Sequence, residues 1–205
     1  MSELELKAAV EARMSRKRFL HTLGVVKAAR QLGEELMPEK IQSLTVAAHL
    51  HDIAKELPTE ELLALSSEYG YVPTEEDMNS PQVLHSFAAP AVIKRDFPEY
   101  ASEEILSAVF KHTTGDGEMS VFDEIIFLSD YVEEGREYPS CIAVRDLLRH
   151  EMNRAVSKEE KEIALHRATL RSIEETLESL AARGKSVHTK TLLAKDFIKR
   201  KLLGK

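Results

Sequence analysis

The chain has 205 residues, including 28 Lys or Arg, 35 Asp or Glu, eight His and one Cys. With 43% hydrophobic residues it is long enough to bury a core, so disorder is not expected. Its apolar runs reach about half of the roughly 20 residues that a membrane span requires, so no membrane protein is predicted. A net charge of −7 excludes binding to a long nucleic acid through a basic face, but still allows a small phosphorylated ligand held by local cations.

The single cysteine, Cys141, has no partner for a disulfide or for a thiolate metal cage. Any bound metal must therefore be held by nitrogen and oxygen ligands. The charged N-terminal segment does not resemble a signal peptide, and we expect a cytoplasmic protein. The whole chain, 1–205, is predicted to be a single domain with a metal-site core over about 16–138 and a helical extension over about 139–205.

Apolar residues recur every three to four positions along almost the whole chain, which predicts an all-α fold. The first four helices are predicted over Glu3–Met14, Arg16–Leu36, from Pro38 into His49–Ala54, and from Pro58 to about Gly70. The predicted inner face of the second helix carries Phe19, Leu20, Leu23, Val26 and Leu32. The irregular segment 71–81 is predicted to be a surface loop.

The second half of the chain continues the helical pattern. A helix over about 83–96 contains Pro90, which should kink or break it. Ser102 is predicted to cap a helix that ends near His112. The later helices are predicted from three start signals: a capping box at Ser120 and Asp123, a second at Ser157 and Glu160 with an end near Gly184, and a basic helix from about Thr189.

The run AHLHDIAKEL contains the pair His51 and Asp52 in apolar surroundings. Burying such a pair is costly unless it is hydrogen-bonded or bound to a metal. Neighbouring helical residues point about 100° apart, so the two can share one ion only near the end of a helix. A His-Asp dipeptide on its own is weak evidence, and alone it favours a structural or surface role.

Four further residues change that balance, because each lies in a mainly apolar part of a different predicted helix. They are His21, His85, His112 and Asp130. Asp130 lies at the end of a strongly apolar predicted helix, where burying an unpaired carboxylate would be especially costly. One polar centre shared by the five helices accounts for all of these residues.

A lone His, a His-Asp doublet, two further His and a final Asp occur in the order that is typical of HD-domain metal-dependent phosphohydrolases. The segments KRFLHTLGV, AAHLHDIAKELP, LHSFAAP, KHTTGDGEMSVFDEIIFLSDYVEEGR and VHTKTLLAKDF resemble the YqeK-type HD domains of bacteria. The resemblance covers about 16–138 and the tail. It implies an all-helical fold, a two-iron centre and symmetrical hydrolysis of diadenosine tetraphosphate to two ADP.

The resemblance also implies which residues hold each metal. One ion would be bound by His21, His51, Asp52 and Asp130, and the other by Asp52, His85 and His112, with Asp52 as the bridge. These donors suit iron, manganese, cobalt or zinc, and only the resemblance favours iron. Two ions about 3.5 to 4 Å apart can supply a bridging hydroxide to attack an inner phosphate.

Basic side chains are expected to neutralise the phosphate charge that the metals do not. Asp52, Arg136 and Lys55 are the predicted catalytic residues, and the predicted nucleotide contacts are Arg136, Lys55, Arg18, His188 and Thr191. The chain departs from the family pattern at two places: Thr189 and Lys190 replace a usual Pro-Asp, and Glu134 replaces a common proline. The first change puts the contacts of the tail loop in question, and the second is expected to affect the turn more than the metals.

Two alternatives stay open: another nucleotide phosphohydrolase or phosphodiesterase on the same site, and a nucleotide sensor without catalysis. The complete ligand set argues against the sensor. A nucleobase could stack on Tyr131, Tyr138 or neither, and a homodimer is left open. His49 is expected to pack rather than bind metal, His150 and His166 are expected on exposed faces, and the basic terminal helix is expected to dock on the domain.

Overall fold

The protein is described from a computed structural model, which covers residues 1–204; Lys205 lies outside the described residues. Within this range the chain forms α-helices, short 3-10 turns and loops, and no strand, which confirms the predicted all-α class. The helices are α1 (Glu3–Glu11), α2 (Arg16–Leu36), α3 (Ile41–Leu50), α4 (Thr59–Tyr69), α5 (Glu75–Asn79), α6 (Leu84–Asp96), α7 (Glu103–Lys111), α8 (Val121–Val132), α9 (Pro139–Arg154), α10 (Lys158–Ala182) and α11 (Thr189–Leu202).

Serine caps determine where several of these helices begin. The hydroxyls of Ser15, Ser102, Ser120 and Ser157 each accept the backbone N–H of the residue three positions later. The boxes predicted at Ser120 and Ser157 are both complete, because the acidic side chain three residues on also accepts the backbone N–H of the serine. These start signals were therefore read correctly from the sequence.

Some predicted boundaries were wrong. Helix α3 ends at Leu50, and residues 51–56 form turns instead of continuing the helix to Ala54. The predicted loop 71–81 contains α5, whose capping box at Thr74 and Asp77 was missed. In contrast, α6 matches the helix predicted over about 83–96. Of the two predicted effects of Pro90, a kink or a break, the break does not occur, and the residues from Leu84 to Ile93 are all buried. Helix α9, which was not predicted as a separate element, begins with Pro139 in its first turn.

One core connects the first part of the chain to the C-terminal helices. Helix α2 packs on α3 and α8, while α6 packs on α4 and α7. The same cluster of buried apolar residues continues into Val144 and Leu148 of α9 and into Leu165 and Ala168 of α10. Leu20, predicted on the inner face of α2, is instead 52% exposed. Among residues 1–204, no helix is both long and apolar enough to cross a membrane.

The remaining histidines divide into buried and exposed positions. His49 is buried on α3, as expected, and burial lowers its pKa to about 4. His150 is exposed on α9, also as expected. The expectation for His166 was wrong: its Nδ1 lies 2.8 Å from Oε2 of Glu124, a fully buried carboxylate of α8 that needs a polar partner.

Candidate metal centre

Five segments of the chain converge on one polar centre. His21 lies inside α2, His51 and Asp52 directly follow α3, and His85 lies in the first turn of α6. His112 directly follows α7, and Asp130 lies in the last turn of α8. All of these residues except His21 lie at or next to a helix end, which lets their side chains turn towards the centre, as the sequence predicted for the His-Asp pair.

The carboxylate of Asp52 lies in the middle of the cluster. Its Oδ2 is 3.3 Å from Nε2 of His51 and 3.8 Å from Nε2 of His21. Its Oδ1 is 3.1 Å from Nε2 of His85 and 3.6 Å from Nε2 of His112. The two oxygens therefore face two different sets of imidazole nitrogens, which is the arrangement that a bridging carboxylate requires.

All four histidine rings present Nε2 to the centre, because Nδ1 is used elsewhere. The Nδ1 of His51 donates to the Ala48 carbonyl at 2.7 Å, and that of His112 donates to the Val109 carbonyl at 2.7 Å. The Nδ1 of His85 lies 2.9 Å from the Gln82 carbonyl. The His21 ring differs, since its Nδ1 donates to the Glu133 carboxylate at 3.1 Å. These hydrogen bonds fix the ring orientations. In His51, His85 and His112 they leave the Nε2 lone pair free to bind a metal, whereas Nε2 of His21 lies 2.9 Å from Oδ1 of Asp130.

The protonation states of the two carboxylates and of His85 suit metal binding. Burial opposes ionisation of Asp52, but His51, His112 and His85 outweigh it and hold the pKa of Asp52 well below its ordinary value. Burial likewise opposes ionisation of Asp130, and the Arg136 guanidinium holds its pKa well below the ordinary value. Burial lowers the pKa of His85 to about 4, so this ring is neutral at neutral pH. At His21 burial would lower the pKa, but hydrogen bonds to Asp130 and Glu133 outweigh it and raise the pKa to about 9, so this ring must give up a proton when a metal binds. The centre thus offers carboxylates and at least one neutral imidazole.

Two geometric observations favour a cation at this place. The Nε2 atom of His51 is buried and has no hydrogen-bond partner among the described residues. The Nε2 atoms of His85 and His112 lie only 3.1 Å apart although both rings already donate through Nδ1, so two lone pairs face each other. Donor atoms within 4.8 Å of one another form two groups, one of His21, His51 and Asp130 and the other of His51, Asp52 and His112. The residues present fit a divalent metal held by nitrogen and oxygen.

Three predicted cations reach the edge of the centre. Arg18 Nη1 donates to Oδ2 of Asp52 at 2.7 Å, and Arg136 Nη2 donates to Oδ1 of Asp130 at 2.6 Å. Lys55 Nζ lies 3.2 Å from Nε2 of His85. The structure therefore brings all three basic side chains to the metal-ligand candidates, where they add positive charge.

The other two predicted nucleotide contacts, His188 and Thr191, are placed differently. His188 Nε2 lies 2.8 Å from Oδ1 of Asp77, and its Nδ1 accepts the backbone N–H of Lys190. Thr191 is buried in the first turn of α11. Both nitrogens of His188 are used inside the protein, so the structure does not bring this pair to the six ligand candidates. Their contact with a nucleotide stays a prediction.

Sequence reasoning missed three residues of the site. Thr113 Oγ1 lies 3.1 Å from Nε2 of His85 and 3.0 Å from Nε2 of His112. Glu133 accepts a hydrogen bond from Nδ1 of His21, the ring nitrogen that faces away from the centre. Arg145 of α9 donates to the carbonyls of residues 132, 133 and 136 at 2.6 to 2.7 Å. The motifs HTTG and SDYVEEGR contain Thr113 and Glu133, so their presence there was a usable signal. Arg145 lies in no such motif.

A groove of about 910 Å³ opens beside the centre. It is bordered by His21, by the acidic residues Glu133 and Glu137, and by a larger number of basic side chains, those of Arg16, Lys17, Arg18 and Arg136. Tyr138 and Leu20 contribute an apolar surface, with exposed fractions of 68% and 52%. A groove with this composition suits a ligand that combines negative charge with a planar apolar group.

Comparison with known proteins agrees with this geometry. The sequence model of the HD domain matches residues 18–135. The symmetrical bis(5'-nucleosyl)-tetraphosphatase of Bacillus subtilis is 28% identical over 156 residues, which are 76% of this chain and 82% of the relative. The protein of the same name from Halalkalibacterium halodurans is 31% identical over 149 residues, 72% of this chain and 77% of the relative.

A solved structure gives the same result for the fold. The crystal structure of a protein from Clostridium acetobutylicum, described as a predicted HD superfamily hydrolase involved in NAD metabolism, superposes with a TM-score of 0.83. The two chains are 27% identical, and the match covers 98% of each. The chain belongs to the HD-domain hydrolases and, among them, to the YqeK-type family of symmetrical bis(5'-nucleosyl)-tetraphosphatases.

Proposed function

We propose that this protein hydrolyses diadenosine tetraphosphate symmetrically, giving two ADP. The observation that carries the proposal is the basic groove of about 910 Å³ directly beside the convergent ligand set. The names of the relatives from Bacillus subtilis and Halalkalibacterium halodurans support the same substrate. The charged N-terminal sequence supports the cytoplasm as its location, and a homodimer and the single-domain organisation remain predictions.

The metal centre is proposed to hold two ions. His21, His51, Asp52 and Asp130 would hold one, and Asp52, His85 and His112 the other, with iron favoured over manganese, cobalt or zinc by the family resemblance. When bound, such a pair supplies Lewis acidity and a hydroxide nucleophile at neutral pH. Six side chains leave open positions for water and phosphate.

The basic side chains have separate roles in this proposal. Arg136 and Arg18 lie on the groove side of the centre and would bind the phosphate chain as it approaches. Lys55 lies on the His85 side, where its ammonium group would bind a phosphate oxygen or the leaving group. Burial lowers the pKa of Lys55 from its ordinary value, which makes proton donation easier. Positive charge on both sides of the reacting phosphate would stabilise its developing negative charge.

Nucleotide recognition is proposed to involve Tyr138. Tyr138 directly precedes α9, is 68% exposed and lines the groove together with Leu20. An exposed aromatic ring is a stacking platform for a nucleobase. Tyr131, the other candidate from the sequence, is only partly exposed and packs against the core, which disfavours it as the platform.

A substrate panel tests this function. The metal-loaded protein is offered diadenosine tetraphosphate, ATP, a cyclic dinucleotide and NAD, the last because of the description of the Clostridium structure. We expect the highest kcat/KM with diadenosine tetraphosphate. Faster turnover of a mononucleotide, of the cyclic dinucleotide or of NAD would assign the site to another substrate class, and binding without turnover of any compound would favour a sensor.

A further inference from the structure

His21 differs from the other three histidines of the centre in its position along a helix. His51 and His112 directly follow helices, and each donates through Nδ1 to a carbonyl in the last helical turn, where acceptors are free. His21 is the sixth residue of α2, a 21-residue helix. Carbonyls inside a helix already accept helical N–H groups, so the Nδ1 of His21 needs an acceptor from another part of the chain.

Glu133 supplies that acceptor. It follows the last residue of α8, in extended backbone conformation, and its Oε1 lies 3.1 Å from Nδ1 of His21. Its Oε2 accepts the backbone N–H of Gly135 at 2.6 Å. The residue is only 4% exposed. Both oxygens of this buried carboxylate are therefore used, one to orient the metal-facing ring and one to fix the turn.

Glycines at two neighbouring positions leave the space that the Glu133 carboxylate occupies. A Cβ added to Gly24 would lie 2.2 Å from Oε2 of Glu133, and one added to Gly135 would lie 2.9 Å from the same atom. The Arg145 side chain holds the backbone of this turn through the carbonyl of Glu133 at 2.6 Å. The Glu133 carboxylate is therefore buried, hydrogen-bonded through both oxygens, and placed where a side chain larger than glycine at position 24 or 135 would displace it.

We propose that Glu133 is a positioning residue that selects the tautomer of His21 and strengthens its Nε2 as a metal ligand at the half of the centre formed with His51 and Asp130. This inference rests on the proposed function, because it assumes that His21 is a metal ligand. A carboxylate on the far nitrogen increases the basicity of a histidine ligand more than a main-chain carbonyl does. In the other half of the centre, formed by Asp52, His85 and His112, both rings donate through Nδ1 to main-chain carbonyls and neither contacts Glu133.

The proposal is tested by metal titration without substrate. Glu133→Ala and the matched control Glu134→Ala are stripped with a chelator and titrated with Mn²⁺, while bound metal is measured by elemental analysis. Glu134 is an exposed neighbour that pairs with Lys27 and Arg149, away from the ligands. We expect the control to bind two ions like the wild type, and Glu133→Ala to bind one ion normally and the other about 10- to 100-fold more weakly. Two ions of unchanged affinity in Glu133→Ala would overturn the proposal.

A second variant keeps the carboxylate but displaces it. Gly24→Ala favours the helix by propensity, while its Cβ forces Oε2 of Glu133 away from its present position. The same selective loss of one ion is expected, so the test stands even if Glu133→Ala folds poorly. Unchanged binding of both ions in Gly24→Ala would count against the proposal. A wild-type protein that binds fewer than two ions would instead refute the two-ion centre of the proposed function.

Discussion

Nη2 of Arg136 lies 2.6 Å from Oδ1 of Asp130, the same oxygen that lies 2.9 Å from Nε2 of His21. One guanidinium thus contacts a metal-ligand candidate and also borders the basic groove. In the proposed function Arg136 would bind a substrate phosphate beside the metal centre without being a metal ligand itself. The proposal thus assigns substrate binding and metal binding to different residues, which is tested by removing the side chain.

The first prediction concerns Arg136→Ala. We expect a loss of about 10²-fold in kcat/KM, because a charged donor beside the reacting phosphate is removed, while two metal ions stay bound. Kinetics and elemental analysis on the same preparation measure both quantities. Arg167→Ala, on an exposed face of α10, is the control and should behave like the wild type. Loss of a metal ion in Arg136→Ala would show that the arginine supports Asp130 instead.

The second prediction concerns Asp52→Ala. Because Oδ1 and Oδ2 of Asp52 face different histidines, the substitution should weaken both halves of the centre and abolish turnover. Bound metal should fall below two equivalents, measured beside circular dichroism to confirm that the helices persist. Retention of both ions together with activity would show that the carboxylate does not bridge.

The third prediction concerns Tyr138→Ala. Loss of a stacking platform should raise KM for diadenosine tetraphosphate by about tenfold, since stacking contributes about 1–3 kcal/mol per base, and should leave metal content unchanged. Tyr138→Phe keeps the ring and should retain the wild-type KM. Equal KM values for the wild type and Tyr138→Ala would place the nucleobase elsewhere.

The fourth prediction concerns stability through Asp77. This buried carboxylate accepts hydrogen bonds from Thr74, Tyr71 and His188 and thereby connects α5 to the start of α11. Asp77→Asn leaves one of these donors without an acceptor and should lower the free energy of unfolding by about 1–3 kcal/mol at pH 7. Urea unfolding followed by circular dichroism measures the difference.

The same variant has a predictable pH dependence. Burial alone would raise the pKa of Asp77, but hydrogen bonds from Thr74, His188 and Tyr71 outweigh it and lower the pKa below 3.8. A lowered pKa means that the ionised carboxylate stabilises the fold above about pH 4 and loses this effect as the pH falls through the lowered value. The stability difference between wild type and Asp77→Asn should therefore narrow below pH 4, and a constant difference down to pH 2 would contradict this.

Local signals in the sequence were sufficient for most of the fold. Caps at Ser120 and Ser157 and the period of apolar residues predicted helices that the structure contains. The errors arose where tertiary packing dominates. Leu20, predicted on the inner face of α2, is exposed because it faces the groove and not the core.

The metal-ligand candidates were predictable because each is a polar side chain in an apolar segment, where burial without a partner costs free energy. The residues behind them were less visible. Glu133 looks like an ordinary acidic residue in a turn, and only the position of His21 inside α2 gives it a role. Arg145 and the Asp77 pair with His188 depend on contacts between distant segments, which spacing along the chain does not encode.

The position of cleavage tests the central claim most directly. The metal-loaded protein is mixed with diadenosine tetraphosphate in water enriched in ¹⁸O. The products are separated by chromatography and their masses are determined by mass spectrometry. We predict ADP as the sole nucleotide product, with one ¹⁸O atom incorporated into one of the two ADP molecules from each cleavage. ATP together with AMP would contradict symmetrical hydrolysis at this centre.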